Sequence, residues 1–296
     1  MIFPNIFKQE KLKTNGIDIN YLHGGNKKGT PLVLLHGYPQ THIMWHKIVE
    51  ELSKKFYIIC PDLRGYGDSS KPRGLPNHKN YSKKIMAEDI INIMDHLQLQ
   101  YFYVAGHDRG ARVTHRLCLD YPHRVLKACM MDIVPTYHMF DTTNQKFATG
   151  YYHWFFLIQP DELPETLIGA NPEYYLKEKL KRWSDKEVDF EQKFDDEAVA
   201  EYIRCFDEDS IHATCEDYRA AATIDMDDDF DSRKTKLEMQ ILVLWGKYGF
   251  IEKTYDVLKI WRDYAHKVQG KALECGHFLP EEKPKEVLEE LIRFFK

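Results

Sequence analysis

The chain has 296 residues, 43% of them hydrophobic and 29% charged, enough to bury the core of one large domain or of one domain with an inserted lid. A formal net charge of −5, with acidic and basic residues mixed along the chain, argues against a broad nucleic-acid or anionic-lipid surface and points to a small-molecule partner. The opening MIFPNIFKQEK lacks a basic segment followed by a long apolar one, and no later run approaches the ~18 apolar residues of a membrane span, so a cytoplasmic protein without membrane association is expected.

In chain order, KLKT and IDINYLH alternate polar and apolar residues around Asn15-Gly16, which predicts an opening hairpin. Short apolar runs recur in PLVLLHG, FYIICPD, YFYVAGH, VLKACMMD and ILVLWGK, each continuous in the manner of a parallel strand covered on both faces. The intervening YSKKIMAEDIINIMDHL predicts a helix. Met86, Ile90, Ile93, Met94 and Leu97 form its apolar stripe, with Ile85, Asp89, Asn92 and His96 along another face. Strand alternating with helix gives an α/β class, a mostly parallel central sheet flanked by helices. The rhythm breaks after MMDIVPT. Residues 136–225 are rich in Tyr, Trp and Phe with helical patterning, which predicts a helical cap inserted in a core made of 1–135 and 226–296. The strand ILVLWGK and the helices TYDVLKIWRDYA and KPKEVLEELIRFF then complete the fold. Six cysteines (Cys60, Cys118, Cys129, Cys205, Cys215, Cys275) show no CxxC spacing and read as free thiols.

The stretch VAGHDRGARV carries the chemistry. Gly106-His107-Asp108-Arg109-Gly110 follows an apolar strand and precedes a helix, the context of a G-x-nucleophile-x-G elbow with Asp108 in the nucleophile's place. An aspartate is also a good helix N-cap, but capping leaves the flanking glycines unexplained. A carboxylate attacks amides poorly yet can displace a leaving group from saturated carbon, giving an ester on the enzyme that water must cleave. Cys275-Gly276-His277-Phe278 supplies His277 as the general base. Asp132, at the end of KACMMD, is preferred over Glu252 as the acid that orients it. An oxyanion hole is expected from the backbone N–H groups of Arg109 and of Tyr38 in HGYP. Arg109 and Arg112 oppose the macrodipole of the helix they begin, and that cost suggests an anion between their guanidinium forks, a small acid held over Asp108. Arg116 has a plainer role, pairing with Asp120 at i,i+4 on the helix's outer face.

With these motifs in hand, the sequence resembles the fluoroacetate (haloacetate) dehalogenases of the α/β-hydrolase superfamily over nearly its whole length, from HGYPQTHIMWHKI through PDLRGYGDSSKP, GHDRGARVTHRL and MDIVPT to GHF. The resemblance implies an α/β-hydrolase fold, hydrolysis of a carbon–halide bond in a small halogenated carboxylate, no metal or organic cofactor, and a homodimer. It also implies a halide pocket from cap residues His153, Trp154 and Tyr218. Imidazole, indole N–H and phenol O–H are donors able to replace the water around a departing fluoride. Related epoxide hydrolases use cap tyrosines, here Tyr152 or Tyr218, to activate the epoxide oxygen; neutral epoxides give no reason for two arginines. A non-catalytic receptor for a small acid would have no need of Asp108, Asp132 and His277 together.

Other motifs carry less. DMDDDFD (225–231) lacks the glycine and terminal glutamate of a calcium loop and reads as a solvated stretch leaving the cap. HIMWH lacks the metalloprotease glutamate, so His42 and His46 are not expected to bind metal. LRGYGDSS lacks a phosphate-loop lysine pattern and reads as a turn.

Overall fold

Asn15 and Gly16 both take positive φ, 48° and 76°, as a two-residue hairpin turn demands, and join β1 (Phe7–Thr14) to β2 (Ile17–Gly25) in antiparallel register. The computed structural model describes residues 3–296; Met1 and Ile2, the start of the N-terminal stretch read above, lie outside it. The five apolar runs form β3 (Pro31–Leu35), β4 (Tyr57–Pro61), β5 (Phe102–His107), β6 (Val125–Met131) and β7 (Leu237–Gly246). An eighth strand, β8 (Ala265–Leu273), follows. The sheet order is β1-β2-β4-β3-β5-β6-β7-β8, with β2 antiparallel to β4 and every pairing from β4 through β8 parallel.

Five of the six parallel strands, β3 to β7, are buried almost throughout, while β8 is largely exposed. Between β6 and β7 the chain is helical, in segments from Thr136–Asp141 to Ile224–Ser232, the last crossing the junction expected at 225/226.

Two local expectations need refinement. DMDDDFD keeps Asp227, Phe230 and Asp231 exposed, but it lies within the helix Ile224–Ser232. Its Asp225 is buried, and Oδ1 accepts a hydrogen bond from the backbone N–H of Lys83 at 2.8 Å. That N–H opens the helix Lys83–His96 and has no partner within it, so an acceptor from elsewhere is needed once the region is covered. Asp89, on the face of the same helix shared with Ile85, Asn92 and His96, is also buried, and Arg64 donates to both its oxygens at 2.8 and 2.9 Å. The helix expected from TYDVLKIWRDYA starts only at Val257, capped by Asp256, and stops at Tyr264 where β8 begins. Arg116 and Asp120 pair as expected.

Candidate active site

The parallel register brings several strand ends to one edge. Leu35 of β3 faces Gly106 of β5, His107 faces Met131 of β6, and Met131 faces Leu244 of β7. The residues that follow β3, β5, β6 and β8 therefore meet above the carboxyl ends of the strands, where open α/β sheets place their ligand crevice. Asp108 sits in the turn between β5 and the helix Arg109–Asp120 with φ 46° and ψ −113°, a conformation that costs of order 1–3 kcal/mol in a non-glycine residue. Its side chain does not cap the helix. Instead Oδ1 accepts the backbone N–H of Tyr38 at 2.9 Å. The approach is close enough that a Cβ on Gly37 would lie 2.5 Å from that of Asp108, and one on Gly110 would lie 2.3 Å from the His36 carbonyl oxygen. The glycines of both motifs thus let the β3 loop and the elbow touch.

His277 is buried on the other side of Asp108. Its Nδ1–H donates to Asp132 Oδ2 at 2.5 Å, and its Nε2 lies 3.9 Å from Asp108 Oδ2 with no hydrogen-bond partner of its own. Asp132 follows β6 at φ 54° and is fixed through Oδ1 by the Gly246 N–H at 2.9 Å. Glu252, the alternative acid, accepts from the indole of Trp245 instead. Burial works against charge on both Asp108 and His277. It is outweighed at Asp108 by His277, His107, Arg109 and Arg112, which hold the carboxyl below its ordinary value, and at His277 by Asp132 and Asp108, which raise the imidazole. The backbone N–H of Arg109, the other donor expected for an oxyanion, directly follows Asp108 at the start of the helix.

The arginines differ from expectation in how they are held. Arg109 is fully buried, and its fork is already occupied by a protein carboxylate: Nε donates to Asp217 Oδ2 at 2.9 Å and Nη2 to Oδ1 at 2.7 Å. Asp217 supplies the anion that the opposed macrodipole calls for, so that cost by itself does not require a ligand. Asp217 is shared with the Tyr66 hydroxyl at 2.7 Å and with the Lys83 ammonium. Arg112 donates through Nη1 to Val134 O and Thr136 Oγ1 and through Nη2 to Met139 Sδ. What remains without a partner is one nitrogen on each, Nη1 of Arg109 and Nε of Arg112. A pair of free bidentate forks is thus replaced by two fixed guanidiniums with one unpaired nitrogen each, Nη1 of Arg109 with two N–H groups and Nε of Arg112 with one.

The three residues expected to form a halide pocket are brought together. His153 and Trp154 lie in the short helix His153–Phe156, and Tyr218 in the helix Glu208–Ala222, started by Asp207 as N-cap. The Tyr218 ring is 5.7 Å from that of His153 and 6.2 Å from that of Trp154, and it covers the Arg109 guanidinium at 4.2 Å; Trp154 covers Arg112 at 4.6 Å. The Tyr218 hydroxyl and His153 Nδ1 are buried without partners. Burial, with nearby Lys179 and His277, pushes the His153 imidazole well down, so it is neutral; burial and Asp108 push the Tyr218 phenol well up, so it keeps its proton.

Sequence reasoning missed three further contributors. Trp183 stands 4.5 Å from the His153 ring and 5.6 Å from the His277 ring, and its carbonyl accepts the His277 backbone N–H at 2.8 Å. Lys179, one turn earlier, is buried against the rings of Tyr152 and Tyr175, and burial and Arg182 lower its ammonium to about 7. Asp217 is the third: two cations lacking an anion called for an acid, but nothing local singled out the one directly before Tyr218. A cleft of about 490 Å³, lined by Tyr151, Trp183, Tyr248, Phe250 and Lys253 among others, leads from the surface to His277.

Residues 30–284 match the family described as alpha/beta hydrolase fold. The chain is 37% identical to a fluoroacetate dehalogenase of Burkholderia sp, covering 94% of this chain and 90% of that protein. It is 31% identical to a soluble epoxide hydrolase of Corynebacterium sp. (strain C12), covering 95% and 94%. The crystal structure of ALR0039 from Nostoc sp PCC 7120 superposes with a TM-score of 0.95 at 56% identity, covering 98% of each chain.

Proposed function

The chain belongs to the alpha/beta hydrolase fold family, in the branch that includes fluoroacetate dehalogenase, and within it we propose a haloacetate dehalogenase that converts fluoroacetate, and chloroacetate with it, to glycolate and halide. The observation that carries this reading is the pair of buried arginines beside Asp108, each with one nitrogen left unpaired. A carboxylate accepting N–H groups from those two nitrogens would bring its α-carbon to an ionised nucleophile. The elbow aspartate and the 37% identical fluoroacetate dehalogenase support the same assignment.

In the proposed reaction an oxygen of Asp108 attacks the α-carbon as the carbon–halogen bond breaks, and halide leaves with the bonding electrons into the site of His153, Trp154 and Tyr218. The product is a glycolyl ester on Asp108. His277, its Nδ1–H held by Asp132, takes a proton from water through Nε2; the hydroxide adds to Asp108 Cγ, and the oxyanion is received by the backbone N–H groups of Tyr38 and Arg109. Collapse expels glycolate, which recovers the proton from His277, and Asp108 is regenerated.

Only the second step needs neutral His277, so the two steps should differ in pH dependence. In the ester Asp108 no longer carries charge, but the hydrogen bond that His277 donates to Asp132, the largest of the raising causes, remains. The hydrolysis rate is expected to rise with pH and level off, with a midpoint above the ~6.5 of an ordinary imidazole, while the first halide burst lacks this limb. Stopped-flow halide release across pH checks both; a midpoint below the ordinary value would contradict the assigned base.

Arg112→Leu is expected to raise KM for chloroacetate and lower kcat/KM by roughly 10- to 100-fold, corresponding to the ~1.5–3 kcal/mol of a hydrogen bond to a charged group. Unchanged kcat/KM in a folded variant would remove Arg112 from substrate binding.

The rival is an epoxide hydrolase, favoured by the 31% identical relative and by the unpartnered Tyr218 hydroxyl facing the site. Tyr152, the other tyrosine considered, is 45% exposed and its hydroxyl is bonded by Lys179, so it is poorly placed for that role. Halide release from chloroacetate, measured against diol formation from a neutral epoxide, separates the two: turnover of the acid alone supports the dehalogenase, and turnover of the epoxide alone replaces it. We further assign the protein to the cytoplasm, on its six free, buried cysteines, and to a homodimer, on the exposed Leu163, Leu167 and Tyr174 of two neighbouring cap helices.

A further inference from the structure

The base is joined to the cap by a set of contacts that the reaction itself does not require. The His277 N–H donates to the Trp183 carbonyl at 2.8 Å, and Gly276 packs so tightly on the cap backbone that a Cβ there would lie 2.5 Å from both Trp183 O and Ser184 C. One side chain spans this junction. The carboxylate of Glu282 accepts the N–H of Gly276 at 2.9 Å and of Asp185 at 2.7 Å on Oε2, and the N–H of Phe278 at 2.8 Å on Oε1. It thereby grips the residues on either side of His277 together with the cap segment that carries Trp183. All three donors are main-chain groups at a bend, where no helix or strand would otherwise satisfy them.

We propose that Glu282 is a positioning residue that locks the His277 loop and the cap segment 183–185 into one unit, so that the base and the aromatic wall of the pocket keep a single alignment. The inference deepens the ester mechanism above, on which its kinetic part rests; the lock itself is independent of the substrate. No group of the first step touches Glu282, whereas misplacing His277 relative to the ester should slow hydrolysis. Displacements on the order of 1 Å at a reacting group can cost ~10²-fold.

Glu282→Gln tests this with little change in shape. Its amide keeps one acceptor oxygen and turns an N–H₂ toward the remaining donor. In hydrogen exchange on the whole chain, the amides of Gly276, Phe278 and Asp185 should exchange faster in the variant while those of β5 and β6 do not change; unchanged exchange at all three would overturn the lock. With chloroacetate, the halide burst should keep its wild-type rate and amplitude while steady turnover falls about 10- to 100-fold and Asp108 ester accumulates. A parallel fall in both phases, or in neither, would overturn the positioning role. Gly276→Ala, which forces the loop and cap apart from the other side, should give the same division should Glu282→Gln fold poorly. Wild-type enzyme that releases no halide would refute the dehalogenase reading, while the exchange result would still decide the lock.

Discussion

Asp108→Asn is expected to lower halide release by on the order of 10⁴-fold or more, the loss typical when a covalent nucleophile is removed. The substitution is close to isosteric, and the neutral amide can still accept the Tyr38 N–H through its oxygen, so the elbow and its strained backbone should survive. What disappears is the anionic oxygen that forms the bond to carbon. Arg109 and Arg112, which help hold Asp108 ionised, would face a neutral group, and haloacetate should still bind. Binding without turnover, seen by calorimetry beside a halide assay, is the expected pair of results. Retained turnover would mean that water attacks the substrate directly and that Asp108 has another role.

His277→Asn should separate the two halves of the reaction. Alkylation does not need the base, so one halide should appear per active site, after which turnover falls by about 10²- to 10⁴-fold, the usual contribution of a positioned general base. The stalled protein should carry a glycolyl ester on the peptide containing Asp108, visible by mass spectrometry. Nε2 of His277 stands 3.9 Å from Asp108 Oδ2, beyond direct hydrogen bonding. The water that attacks the ester is the group the asparagine would fail to activate. Continued turnover without ester would remove His277 from the base role.

The features legible in the sequence are those fixed by local or one-dimensional patterns. Five parallel strands are buried on both faces and so read as continuous apolar runs; Asn15-Gly16 marks its turn through the positive φ both residues must adopt. The elbow shows itself because glycines are needed where the β3 loop meets it. β8 went unread for the opposite reason. It is an edge strand whose His266, Lys267, Gln269 and Lys271 are partly or fully exposed, and the apolar periodicity that marks the central strands is absent. Partnerships between distant residues were also out of reach. Asp217 is 108 residues from Arg109, and nothing in the local pattern says that a cap acid fills the fork of a core arginine. Arg64 likewise pairs with the buried Asp89. These are pairings created by the tertiary fold, and they change the chemical reading: the arginines offer one unpaired nitrogen each rather than two forks.

The cap contributions follow the same division. His153, Trp154 and Tyr218 were identified through resemblance, and the structure gathers them around the arginines. Trp183 and Lys179 carried no comparable signal, since an aromatic and a lysine near the end of an amphipathic helix are ordinary components of a solvated cap. Their importance comes from where the helix Pro172–Trp183 ends, against His153 and the His277 loop.

Fluoride release from fluoroacetate, followed by ion-selective electrode with the wild-type protein and Asp108→Asn side by side, tests the central claim most directly. The account predicts steady fluoride and glycolate from the wild type and none above background from the variant. No fluoride from the wild type would contradict the assignment to fluoroacetate, and equal release from both proteins would contradict the role of Asp108.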